Sequence, residues 1–144
     1  MMNIGWSPAF QVGVEGIDSS HEEHLDHLKT LGSLVHAKAP VSVLLAHGET
    51  LRASLLHHHQ EEERVMAHLG YPDLTDHQAL HSFLLEEIGQ QFRVIGPGHD
   101  LGDMSRALGR IAHLMLDHII RHDLGILTFM QGRGLTEARL GLLP

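Results

Sequence analysis

Apolar residues recur along this chain in alternating steps of three and four, the spacing of one buried helix face, and no strand-like alternation competes with them. Residues 1–18 place Trp6, Phe10, Val12, Val14 and Ile17 among Gly and Pro, which predicts an extended arm packed on a core. Ser19 and Ser20 each have a glutamate three residues on (Glu22, Glu23), a capping-box signature that opens a helix running to about Lys38, before Pro40. A second helix is predicted from near Ser42 to near Leu69, where Gly70 and then Tyr71-Pro72 stop it. Thr75 with Gln78 opens a third, which runs to about Ile95 and stops at Gly96-Pro97-Gly98. The fourth runs from about Leu101 towards Gln131, weakened at Gly109 and Gly125, and a short amphipathic tail covers Leu135 to Leu143. Connections of roughly three to six residues favour antiparallel neighbours. The expected fold is therefore all-α: an up-down-up-down four-helix bundle in one domain of residues 1–144, with an arm (1–18), the bundle (19–131) and a helical tail (132–144).

Composition narrows the chemistry. A chain of 144 residues can bury a core without staples, and the absence of cysteine excludes disulfides, iron-sulfur ligation and thiol redox motifs. Its 15 histidines therefore point to a site of nitrogen and oxygen donors. A formal charge of -8 argues against nucleic acid and anionic membranes as partners. No apolar run approaches the roughly 18 residues of a membrane helix. The opening MMNIGWSPAFQ lacks the basic start and apolar stretch of a secretory signal, so a cytoplasmic location is expected.

The apolar seams choose among the histidines. His57, His58 and His59 precede Gln60, Glu61, Glu62 and Glu63, so His-x-x-x-Glu pairs overlap and spacing alone cannot decide. The stripe Leu44, Leu51, Leu55, His58, Glu62, Val65, Leu69 selects His58 with Glu62. His57 and Glu61 continue into Ser54 and Thr50, a polar face, while His59 and Glu63 share a mixed flank with Arg52 and Met66; all four are read as solvated neighbours. In the third helix Leu74, His77, His81, Leu84 and Ile88 share a stripe, placing two imidazoles one turn apart where they can grip one metal. His21 leads Leu25, Leu28, Gly32 and Val35 in the first helix, with His24 and His27 turned to the sides. Leu101, Met104, Leu108, Ile111, Met115 and His118 form the seam of the fourth.

Asp123 does not fit that last seam. Five residues after His118, it is rotated by about 140° on a regular helix, and His122 fits better. Either His118 pairs with His122 and Asp123 is solvated, or a local π-type bulge turns Asp123 inward.

Trp6, Gly13-Val14, Ile17-Asp18-Ser19-Ser20-His21, His58 to Glu62-Glu63 with Met66, Tyr71-Pro72, His77-Gln78-Ala79-Leu80-His81 with Phe83, and His118-Ile119 to Asp123 occur in one order along nearly the whole chain. In these elements the chain resembles the single-domain bacterial hemerythrins. The resemblance implies two iron ions with an oxo or hydroxo bridge, one held by His77, His81 and His118 and the other by His21 and His58. Glu62 and Asp123 would bridge them, which favours Asp123 over His122. It further implies reversible dioxygen binding at the open position of the two-histidine iron, for storage, delivery or sensing, with no side chain needed as nucleophile or base. An apolar oxygen pocket is expected from Leu28, Leu55, Leu114, Met115 and Ile119. The chain departs from the family pattern at His59, where Phe is usual, at Leu114, where Trp is frequent, and at Met115, where Leu is common.

Other functions compete with this one. A ferritin-like oxidase needs Glu-x-x-His on two helices, and no Glu-x-x-His occurs in the chain. Peroxidase or oxidase activity at a hemerythrin-like centre is the nearer alternative. A histidine-rich module buffering zinc, copper or nickel would use exposed clusters such as His57 to His59 and would not depend on Glu62 or Asp123. Zincin chemistry is disfavoured, because His21-Glu22-Glu23-His24 misses the His-Glu-x-x-His spacing. The remaining histidines, among them His36, His47, His68, His99 and His113, are read as solvated or structural.

Overall fold

The computed structural model describes residues 6–95, 98 and 100–135. Among these the protein is all-helical: α1 (Glu15–His36), α2 (Val41–Leu69), α3 (Leu74–Phe92), α4 (Leu101–His118), a π turn (Ile119–Asp123) and α5 (Leu124–Gly132), which continues α4. None of these helices is long and apolar enough to cross a membrane. Residues 136–144 of the expected tail lie outside the described residues, as do Gly96, Pro97 and His99.

Helix ends follow local chemistry, with two corrections. α1 begins at Glu15, so Ser19 and Ser20 lie within it and do not cap it. The reason is Asp18, whose carboxylate accepts hydrogen bonds from the backbone N–H of Val12 at 2.7 Å and Gly13 at 3.1 Å. That clasp binds the arm to the first turns and shortens the extended segment. Thr75 likewise lies inside α3, which starts at Leu74 after Asp73 and ends at Phe92, short of Ile95. α2 stops where Gly70 takes a left-handed φ of 67°, its N–H closing on the carbonyls of Ala67 and Met66. Asp100 caps α4 by accepting from the Asp103 N–H at 2.7 Å.

Helix α1 packs on α2 and α4, and α3 packs on the same two. Their apolar stripes form two separate layers. The first contains Leu25 to Val35 of α1, Leu44 to Leu55 of α2, Leu84 and Ile88 of α3, and Ala107 to Met115 of α4. The second contains Val12, Val14 and Ile17, then Val65, Met66 and Leu69 of α2, and Ile126 and Met130 of α5. Val12, Val14 and Ile17 are buried, so the arm does pack on the core, although Ile17 belongs to α1. The seam histidines of α1, α2 and α4 fall between the two layers in sequence, His21 between Ile17 and Leu25, His58 between Leu55 and Val65, His118 between Met115 and Ile126, while His77 and His81 precede the first-layer residues of α3.

Gly125 marks a close approach in the second layer. A Cβ there would lie 2.7 Å from the Tyr71 hydroxyl oxygen, while Tyr71 meets Phe129 edge to face at 5.3 Å. Gly125→Ala sets about 1 kcal/mol of gained helix propensity against overpacking at the Tyr71 hydroxyl and is expected to lower stability by up to about 2 kcal/mol net. Tyr71→Phe in the same background removes the clashing oxygen and should restore most of the loss in a urea melt. Equal losses in both backgrounds would rule out this contact as the cause.

Candidate metal centre

Between the layers, His21, His58, Glu62, His77, His81, His118 and Asp123 converge, all buried. Their ligand atoms form two groups, Glu62, His77, His81, His118 and Asp123, and His21, His58, Glu62 and Asp123, each with its atoms within 4.8 Å of one another. Either group could hold a metal ion.

The two carboxylates divide their oxygens between the groups. Glu62 Oε1 lies 2.8 Å from His77 Nε2 and 3.0 Å from His81 Nε2. Its Oε2 lies 3.1 Å from His58 Nε2 and 3.6 Å from His21 Nε2. Asp123 Oδ1 faces His77 at 2.9 Å and His118 at 3.1 Å, and its Oδ2 faces His21 at 3.0 Å. Several of these atoms are near one another without hydrogen-bond alignment: the Nε2 atoms of His21, His58 and His118, Glu62 Oε2 and Asp123 Oδ1 are buried with no hydrogen-bond partner. Buried polar atoms left unpaired are costly. Atoms that crowd together yet point past one another fit a shared cation between them, and nitrogen with carboxylate oxygen is a donor set that transition metals accept.

Asp123 reaches this position because the helix changes pitch. Ile119 to Asp123 form a π turn, and Asp123 is 1% exposed. The wider turn absorbs the extra residue that would otherwise rotate the side chain away from His118. His122 is half-buried instead, its ring 5.4 Å from that of His118.

Around the site the seam reading needs correction at three residues. His59 is buried, stacked flat on His81 with ring centroids 3.9 Å apart. α2 buries a wider face near the site, taking in both His59 and Met66, while Arg52 on the same flank is exposed. Met66, seven residues on, was the signal that could have revealed it. Glu63 is half-buried and lies 2.9 Å from His81 Nδ1, where it orients the ring whose Nε2 faces Glu62. His24, expected at the side of α1, is buried in line with Leu28 and Leu31, with Nε2 3.1 Å from Ser54 Oγ. His57 and Glu61 are exposed as read, and so are His36, His68 and His113, while His27 and His47 are half-buried.

A cavity of about 10 Å³, room for roughly one water-sized molecule, adjoins His21, His58, His118 and Asp123. Leu55, Met115 and Ile119 line it as expected. Leu28 and Leu114 do not; they pack in the first apolar layer, and His24, His59 and Leu84 take their place. The cavity wall is thus more polar than the sequence implied.

No family model matches the chain, and no curated protein matches it.

Burial pushes the His21 and His77 imidazoles down, but Asp123 and Glu62 beside them outweigh it and raise both to about 9. Burial also opposes ionisation of Glu62 and Asp123, and for Asp123 the nearby Glu62 charge does too; the surrounding imidazoles nevertheless hold both carboxyls below their ordinary values. Burial, then His81 and His58, lowers His59 to about 2. Burial, then His58 and His21, lowers His24 to about 3. His21 and His77 titrate above their unfolded value of 6.5, so in metal-stripped protein their stabilising contribution is complete below pH 6.5 and disappears as pH rises through about 9. The melting temperature of stripped protein should fall over that interval. Metal ligation needs neutral imidazoles, so loading at pH 7 should release at least about two protons, those of His21 and His77. A melting temperature that rises from pH 6.5 to 9, or loading without proton release, would contradict this pairing.

Proposed function

We propose that the protein binds dioxygen reversibly at a non-haem di-iron centre of the hemerythrin type, for oxygen storage, delivery or sensing. The observation that carries this reading is the division of Glu62 and Asp123, each with one oxygen towards the His77 group and the other towards His21. Carboxylates so placed suit a pair of ions sharing two bridges. His77, His81 and His118 would hold one iron, and His21 and His58 the other. When bound, the iron pair supplies the electrons that hold dioxygen reversibly.

The chain's own residues do the rest. A set with one histidine fewer would leave room for a further ligand, and the cavity touches both members of that smaller set, together with His118 of the larger one. Leu55, Leu84, Met115 and Ile119 limit water around it. Glu63 orients His81 from behind, which fixes its ring and raises its basicity as a ligand. The order in which the helices pass the apolar layers supports the up-down-up-down bundle: α1 runs from the second layer to the first, α2 back, α3 from the site into the first layer, and α4 with α5 back again.

Peroxidase or oxidase turnover at the same centre is a second reading, favoured by one observation: His24 and His59 bring two imidazoles that are in neither ligand group to the cavity. A metal-buffering role is disfavoured by the burial of every residue in both ligand groups.

Ferrous protein prepared anaerobically separates these readings. It should contain about two irons per chain, matching the two ligand groups. It should also gain a visible absorption band with oxygen and lose that band on degassing. Failure to form the band, or a band that degassing never removes, would refute reversible carriage. Sustained oxidation of a reducing dye with peroxide, absent from iron-free protein, would favour the enzyme.

A further inference from the structure

His59 stands beside the cavity and belongs to neither ligand group. It is 3% exposed. Its ring lies on His81 with only 2° between the planes, so the stack fixes the plane in which its nitrogens point. Nδ1 is buried without a hydrogen-bond partner, and the residue lines the cavity together with His58, Met115 and Ile119. An unpaired buried ring nitrogen is destabilising, and a purely apolar ring would fill the same volume without that penalty. His24, the other non-ligand imidazole at the cavity, differs in that its Nε2 is engaged by Ser54.

We propose that His59, through a hydrogen on Nδ1, donates a hydrogen bond to the small ligand held in the cavity and so sets the specificity of the centre. Ligands that carry or accept negative charge, such as dioxygen and azide, are favoured over neutral ones such as carbon monoxide. A neutral imidazole has a single ring hydrogen, and the tautomer that places it on Nδ1 turns the unpaired nitrogen into the donor. The dispersion contact with His81 holds the donor in place without a second polar anchor. This assignment rests on the di-iron reading given above.

Azide binding to oxidised, iron-loaded protein is the test, with His59→Phe and His59→Gln as variants. Phe keeps the flat ring and removes the donor; Gln keeps an N–H and loses the stack. Iron per chain is measured first and should be the same in all three proteins. Azide should bind about tenfold more weakly to H59F, as expected for a lost hydrogen bond to a charged group, and H59Q should fall between. In the wild type, the azide stretching frequency should shift between H2O and D2O, a response that a merely space-filling ring would not produce and that H59F should lack. Iron-loaded H59F with wild-type azide affinity, or a wild-type stretch indifferent to D2O, overturns the role of His59 alone. A wild-type chain that takes up no iron pair overturns the centre and this assignment together.

Discussion

Two carboxylates buried among imidazoles are the constraint on which the rest of the structure depends. Glu62 is 0% exposed and Asp123 1% exposed. Taking an isolated carboxylate out of water costs on the order of tens of kcal/mol in an apolar medium, whereas burying one leucine contributes about 1.5–3 kcal/mol. The apolar layers therefore cannot offset the carboxylates at a distance, and compensation has to come from groups in contact. That requires imidazoles from α1, α2, α3 and α4 at one level, which in turn fixes the axial register of the helices. The same requirement accounts for the π turn, since regular pitch would leave Asp123 facing away from His118.

Helix register was legible in the sequence because apolar periodicity is read by the core. The stripe from Leu44 to Leu69 picked His58 and Glu62 out of a run of similar residues, and both are buried. The stripe through His77, His81, Leu84 and Ile88 is likewise buried in α3. What periodicity could not supply was the width of the buried face. α2 buries a narrow stripe at Leu44, Gly48, Leu51 and Leu55, then widens at His58, His59, Val65 and Met66. A histidine on such a shoulder looks polar in the sequence and is buried in the fold. His24 escaped for a related reason, since its partner Ser54 sits on another helix and leaves no mark on the spacing of α1.

Local chemistry also competed with pattern at the helix ends. Ser19 and Ser20 carry a sound capping signature, yet Asp18 captures the N–H groups of Val12 and Gly13 and moves the start of α1 earlier. For Asp123, ideal geometry favoured its neighbour His122, and only the resemblance argued for the change of pitch that the structure contains. Irregular backbone of this kind follows from tertiary demands at a site, so a calculation on one regular helix cannot produce it.

The proposed function requires Glu62 and Asp123 to be shared by two metal ions at this one buried position. Anomalous X-ray scattering at the iron edge, on crystals of protein loaded with iron, tests it most directly. Two peaks are expected, one among His77, His81 and His118 and one between His21 and His58, with Glu62 and Asp123 each contacting both. A single peak, or peaks confined to exposed histidines such as His57 and His68, would contradict it.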